Sequence, residues 1–189
     1  SAPTRCSGEG RLLTSPNTCP VYGTCLTCDP AGRLAIVDDF VVAVEDCAVT
    51  DYQAFVVQCQ DQVAHVRINR PDKINAMNAA FWREIVEIFR WIDDTDAVRA
   101  VVISGAGAHF SSGIDLALLA AVAAALGEDA GRNARVLRRK IEQLQASFTA
   151  VAECRKPVLA AIQGYCLGGA IDLIAACDLR YAAQDAQFA

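Results

Sequence analysis

The sequence predicts an α/β protein, in which strands alternate with helices and Gly-bearing loops join them. Three observations predict it. Ala64, Val66 and Ile68 alternate with His65, Arg67 and Asn69, which is the two-residue period of a half-buried strand. Phe81, Ile85, Ile88, Phe89 and Ile92 recur at helical spacing and make one apolar face. Two short apolar runs, residues 100–103 and 158–162, each lead into a Gly-bearing loop and then a helical pattern, as strands of a parallel sheet do.

Taken in order, residues 1–50 precede this regular pattern. They hold four of the six prolines and four of the twelve glycines, and their periodicity is weak before Leu34. They read as an irregular N-terminal extension with one candidate strand at 40–44, and residues 51–189 read as the folded core. Residues 55–58 make the partner strand of 64–68, with a turn near Asp61. Asn69-Arg70-Pro71-Asp72 ends the second strand, because proline cannot continue the ladder. Asn78 is suited to cap the helix that carries Phe81. The strands at 100–103 and 158–162 are wholly apolar and so are expected to be covered on both faces. Residues 105–108 form a loop, and a helix starts near Asp115 and runs through the alanine-rich stretch. Residues 127–131 break it. Leu137, Ile141, Leu144, Phe148 and Val151 then mark a long amphipathic helix. Gly164, Gly168 and Gly169 open a short helix through Cys177, and residues 178–182 read as a third strand.

Composition narrows the function. Among 189 residues, 53% are hydrophobic and 21% charged, so the chain can bury a core. The net charge of −5 argues against a nucleic-acid binder that works by neutralising phosphates. The longest purely apolar run, Leu116 to Leu126, is 11 residues, against the ~20 that a membrane helix needs. The first residues carry no visible secretory signal and the last carry no peroxisomal address. Nine cysteines are present, and Cys25 and Cys28 form a C-x-x-C. A zinc site would want a second pair or nearby histidines, and the only histidines, His65 and His109, lie outside that stretch. No metal or cofactor is therefore expected. Cys59, Cys154, Cys166 and Cys177 sit in apolar contexts and read as small buried hydrophobes.

Two Gly-bearing loops concentrate the chemistry: His109-Phe110-Ser111-Ser112-Gly113-Ile114-Asp115, and Gly164-Tyr165-Cys166-Leu167-Gly168-Gly169-Ala170-Ile171-Asp172. Each puts small residues before a helix start, where free backbone N–H groups can bind an anion or a developing oxyanion. Each is equally compatible with an ordinary tight turn. Asp172 stands in an otherwise apolar segment. It reads either as a first-turn residue favoured by the helix dipole or as a carboxylate that moves protons. His109 reads as structural, and Arg135, Arg138, Arg139 and Lys140 as a solvated basic face.

The motifs Asn69-Arg70-Pro71-Asp72-Lys73-Ile74-Asn75-Ala76-Met77-Asn78, Ala100-Val101-Val102-Ile103-Ser104-Gly105, Ser112-Gly113-Ile114-Asp115-Leu116 and Gly164 to Asp172 resemble the enoyl-CoA hydratase/isomerase (crotonase) superfamily, in that family's order. Within it, Phe81-Trp82-Arg83-Glu84 and the run from Asp172 to Tyr181 look most like the dienoyl-CoA isomerase branch. The resemblance implies a crotonase-like spiral of ββα units. It implies a fatty acyl-CoA thioester as substrate, with coenzyme A belonging to the substrate rather than serving as a cofactor. The N–H groups of Ile114 and Gly169 would form the oxyanion hole, and Asp172 would be the catalytic carboxylate. Ala76, Ser112, Gly113, Ile114, Asp115, Leu116 and Ala170 would line the substrate. The implied reaction moves double bonds, 3,5-dienoyl-CoA to 2,4-dienoyl-CoA. A hydratase, or an inactive acyl-CoA-binding module, is the alternative. A homotrimer or homohexamer in a mitochondrion or peroxisome is the implied setting. The family carries further acidic residues beyond the position of Ala189, so the chain is expected to be a truncated member.

Overall fold

The computed structural model describes residues 52–189. The Cys25–Cys28 pair, the candidate strand at 40–44 and the irregular extension lie outside the described residues. In chain order the elements are β1 (Phe55–Gln60), β2 (Val63–Ile68), a single 3-10 turn (Pro71–Lys73), α1 (Ala79–Asp94), β3 (Ala100–Gly105), α2 (Leu116–Ala124), α3 (Ala130–Ala152), β4 (Val158–Ile162), β5 (Tyr165–Cys166), α4 (Gly169–Ala175), β6 (Leu179–Ala182) and β7 (Gln187–Phe188). Five strands form one sheet in the order β1-β2-β3-β4-β6. β1 and β2 are antiparallel, and every other neighbour is parallel.

The β1–β2 connection is the two-residue turn Asp61-Gln62, with φ of +49° and +68°. Positive φ at both residues gives a turn whose twist matches that of the strands it joins. It sets the register Val57↔Val66, which continues as Val66↔Ile103 and Ile103↔Ala160. One buried row therefore crosses four strands. Alternate residues of β1 to β4 are buried, as the two-residue period requires, and α1 covers this face. Phe55 meets Phe81 with ring centroids 4.9 Å apart.

The Asn78 cap is as the sequence predicts: its side-chain oxygen accepts from the Phe81 N–H at 2.9 Å. Phe81, Ile85, Ile88, Phe89 and Ile92 are all buried. Glu84 is buried among them, and its carboxylate accepts from the backbone N–H groups of Gln53 (3.1 Å) and Ala54 (2.9 Å), which anchors the start of β1 to α1. α3 leans on α1 through the edge-on Trp82–Phe148 pair, and the Ser147 hydroxyl donates to the Trp82 carbonyl at 3.0 Å.

Four expectations need correction. β3 and β4 are fully covered on one face only; on the other, Val102, Ser104, Leu159 and Ala161 are half-buried. The long amphipathic face of α3 buries only its C-terminal end. Val151 is buried and Phe148 and Leu144 partly so, but Ile141 is exposed. Periodicity marks which side is apolar, not whether a partner reaches it. The break between α2 and α3 lies at 125–129 rather than 127–131, because Asp129 accepts the Arg132 N–H at 2.7 Å and starts α3 with Gly131 already inside it. α4 ends at Ala175, before Cys177. Among the described residues, no helix is long and apolar enough to cross a membrane.

Candidate active site

The site is built from three backbone segments laid side by side. The turn after β2 is the first. Ile74 and Asn75 both have positive φ, +50° and +52°, a conformation that asparagine tolerates better than most side chains. Asn75 is fully buried. Its side-chain oxygen accepts from the Arg70 N–H at 2.9 Å, and its NH2 donates to the carbonyls of Ala106 (2.8 Å) and His109 (2.9 Å). A buried amide costs free energy unless it is bonded, and this one is bonded at both ends.

The loop from His109 to Asp115 is the second segment, and it is stitched on both sides. On one side the Ser112 N–H donates to Ile74 O, Met77 N–H to Gly113 O at 2.8 Å, and Asp115 N–H to Met77 O at 3.1 Å. On the other side Ser111 N–H donates to Tyr165 O and Leu167 N–H to Ser111 O, both at 3.0 Å. The third segment is thus β5 and the approach to α4. In the bridge between Met77 and Ile114, Met77 spends both of its backbone groups on the neighbours of Ile114. The N–H of Ile114 is left over. The N–H of Gly169, first residue of α4, is also left over, as helix starts require. Among the described residues, neither donates to another group.

Glycine brings these two amides together. Gly113 has φ +82°, and a Cβ there would stand 2.5 Å from Leu167 O and 3.1 Å from Gly169 N. Only a residue without a side chain lets the 113–114 peptide lie against the start of α4. In return the Gly169 Cα faces the Ile114 side chain, with its notional Cβ 3.1 Å from Ile114 Cγ1. The loops that carry the two uncommitted N–H groups therefore meet, and two donors on meeting loops can bind one carbonyl oxygen as it gains charge.

Around them, Asp115 does three jobs. One carboxylate oxygen caps α2 by accepting from Ala117 N–H at 3.0 Å; the other pairs with Arg70 at 3.1 Å; and its own N–H holds Met77. The Ala117 N–H first, and then the Arg70 guanidinium, hold its carboxyl below the usual aspartate range. Arg70 also donates to the Ala76 carbonyl. The resemblance places the Asn75-Ala76-Met77 turn along the substrate, but the sequence gives no role to Arg70 and none to the Asn75 amide as a buried brace. The signal was present in the N-R-P-D-K-I-N phrase, where an asparagine and an arginine flank a proline-led turn.

Asp172 lies in the first turn of α4, three residues past Gly169. Its neighbours Leu173 and Ile174 point into the core, and Asp172 itself is exposed. The burial cost expected from its apolar sequence context is therefore not incurred, because α4 is amphipathic on a scale too short for the sequence to show. Ala170 is buried behind Gly169, whereas Leu116 is 78% exposed at the start of α2. His109 stacks on Tyr165 with centroids 4.3 Å apart, and its Nδ1 accepts from the Tyr165 N–H at 3.2 Å, which holds loop to loop. The basic face of α3 is solvated, with one loose Arg138–Glu142 pair at 3.7 Å.

The fold and this arrangement define a class: an α/β protein with a largely parallel sheet and two unbonded amides on adjoining loops. The chain belongs to the enoyl-CoA hydratase/isomerase family, whose model matches residues 58–189. It is 49% identical over 148 residues to the mitochondrial Delta(3,5)-Delta(2,4)-dienoyl-CoA isomerase of Mus musculus, covering 77% of this chain and 45% of that protein. It is 47% identical to the peroxisomal isomerase of that name from Arabidopsis thaliana, covering 67% of this chain and 46% of that protein. A crotonyl-CoA hydratase from Syntrophomonas wolfei is 31% identical, over 72% of this chain and 49% of that protein. Among solved structures, an enoyl-CoA hydratase/isomerase from Marinobacter aquaeolei superposes with a TM-score of 0.66 at 28% identity, covering 72% of this chain and 51% of that one. The crotonase-like fold follows. The chain spans about half the length of the curated relatives it matches.

Proposed function

We propose that the protein carrying this chain is an isomerase that converts a 3,5-dienoyl-CoA to a 2,4-dienoyl-CoA, in a mitochondrion or a peroxisome. The observation that carries this reading is the pair of uncommitted amides, Ile114 and Gly169, in a chain nearly half identical to proteins named for that reaction. The thioester oxygen accepts from both N–H groups. A proton leaves the carbon beside the thioester carbonyl, and the electron pair spreads into an extended enolate whose charge rests on that oxygen. A proton then returns at the far end of the diene. Nothing is gained or lost overall, so the reaction is an isomerisation. Each amide contributes ~3–4 kcal/mol to the charged intermediate, by analogy with other oxyanion holes.

Asp172 is the carboxylate placed to exchange one of these protons, since it follows Gly169 within one helical turn and has no partner among the described residues. Asp115 is not a substitute, because Arg70 and the cap of α2 already occupy it. A carboxylate must come within ~3 Å of the proton that it moves, so a second proton carrier is required for the distant carbon. Ala76, Ser112, Gly113, Asp115, Leu116 and Ala170 surround the amides and line the acyl-CoA. The exposed Leu116, Leu119, Ile141 and Tyr181 support assembly as a homotrimer or homohexamer, because exposed apolar surface favours association.

The test is to give the full-length protein 3,5-dienoyl-CoA and to follow the absorbance of the conjugated 2,4-dienoyl thioester. Turnover is expected. Water addition to a 2-enoyl-CoA without isomerisation would assign a hydratase instead, and binding without turnover would assign an acyl-CoA-binding module.

A further inference from the structure

The side chain of Ser111 has a place in the site that its role as a loop residue does not explain. It is fully buried. Its hydroxyl donates to the Asn75 carbonyl at 2.8 Å and accepts from the Gly113 N–H at 3.1 Å. Its backbone N–H and C=O are spent on Tyr165 and Leu167, both at 3.0 Å. One residue is therefore bonded to all three segments of the site: the Asn75 turn, its own loop, and the strand that leads to Gly169. A hydroxyl can do this because it donates and accepts at once.

We propose that Ser111 is the positioning residue of the carbonyl-binding site: its hydroxyl holds the Gly113–Ile114 peptide at a fixed distance and tilt from Gly169. The geometry gives the reason. Gly113 sits at φ +82°, and its N–H is oriented by Ser111 Oγ while its C=O is oriented by Met77 N–H. With both ends fixed, the next N–H along the chain, that of Ile114, has one direction. Without the hydroxyl, Gly113 keeps only the Met77 bond and can rotate about it. The second amide would not follow, because the backbone bonds of Ser111 to β5 do not depend on its side chain. Donors aimed at a developing oxyanion act only when prearranged, so a change in tilt affects the transition state more than the ground state.

This inference rests on the acyl-CoA reading above, and the experiment separates the two. Ser111→Ala and Ser111→Cys are made in the full-length protein. The cysteine variant keeps the volume with a weaker donor and acceptor, and it serves alone if the alanine variant does not fold. Two readouts are taken: kcat and KM with 3,5-dienoyl-CoA, and the infrared stretching frequency of the thioester C=O in a bound, non-reacting acyl-CoA. In the unsubstituted protein the frequency falls on binding, because two donors polarise the carbonyl. The expected result in the variants is a smaller frequency shift. It comes with a kcat lower by roughly ten- to a hundredfold, short of the ~10²–10³ lost when an oxyanion donor is removed outright. KM stays within about threefold. Unchanged frequency and kcat in the variants, with an active parent, overturn the positioning role while leaving the isomerase reading intact. So does a loss that appears only in KM. A parent protein that neither binds acyl-CoA nor shifts its carbonyl overturns both.

Discussion

Replacing Gly113 by alanine tests whether the two loops really meet where the amides lie. Two costs add at this position. The first is the backbone: φ of +82° is costly for a residue with a Cβ, by ~1–2 kcal/mol. The second is contact. The new Cβ would stand 2.5 Å from Leu167 O, which is backbone held by the neighbouring bridge and not the free end of a side chain. Forcing extra volume into a packed site costs a further ~1–3 kcal/mol. The total, about 2–5 kcal/mol, is a large share of the ~5–15 kcal/mol that holds a typical domain folded. Two other glycines calibrate it. Gly168 has φ +52° with open space around it, so Gly168→Ala should show the strain alone, ~1–2 kcal/mol. Gly127 has neither feature, and Gly127→Ala should stay within ~1 kcal/mol of the parent. Urea unfolding of the three variants should rank them Gly127, Gly168, Gly113 in rising cost. If Gly113→Ala were as stable as Gly127→Ala, the close approach of the loops would be wrong, and the oxyanion site with it.

Three more outcomes are expected. Asp172→Asn keeps the shape of α4 and removes the carboxylate; steady-state kinetics should show kcat down by at least ~10², with acyl-CoA affinity from calorimetry little changed. Asp115→Asn keeps a capping oxygen for the Ala117 N–H and removes only the charge that pairs with Arg70, so the loss at pH 7 should stay within ~1 kcal/mol. The sign follows from a carboxyl whose folded pKa is depressed: its contribution is present above the unfolded value near ~4 and is lost as pH falls below it. Urea midpoints of parent and variant should therefore converge as pH falls from ~4 through the lowered folded value. Glu84→Ala leaves the N–H groups of Gln53 and Ala54 without their acceptor, and thermal unfolding should report a loss of ~1–3 kcal/mol, far above that of an exposed Glu→Ala such as Glu142→Ala.

What the sequence displayed was whatever depends on near neighbours. The alternation of Ala64, Val66 and Ile68 and the capped face of α1 are local, and both stand as read. The two loops of the site were legible as glycines before helix starts. Their mutual placement was not, because it depends on Gly113 meeting Leu167 across 54 positions of chain, which no local pattern encodes. The burial of the Asn75 amide was hidden for the same reason: a polar residue in a turn looks solvated until the fold closes over it. Ile141 shows the opposite error. Its spacing is that of a core residue, yet in the described structure it is 52% exposed. β5 and β7, two residues each, are too short to leave a period at all.

The double stitching of the loop from Ser111 to Asp115 separates two things that an enzyme must control. Its bonds to Met77 and to Leu167 run through main-chain atoms alone. The side chains of Ser112 and Ile114 take no part in them. Any L-residue except proline at position 114 would present an N–H there, whereas a side chain at position 113 meets backbone. The seat for the carbonyl is thus indifferent to most of the sequence that surrounds it. On the proposed reading, substitutions there change the surface met by the acyl group, or bring in a different acid or base, while the main-chain bonds stay as they are. A scaffold of this kind can change its chemistry one side chain at a time and remain a catalyst at each step.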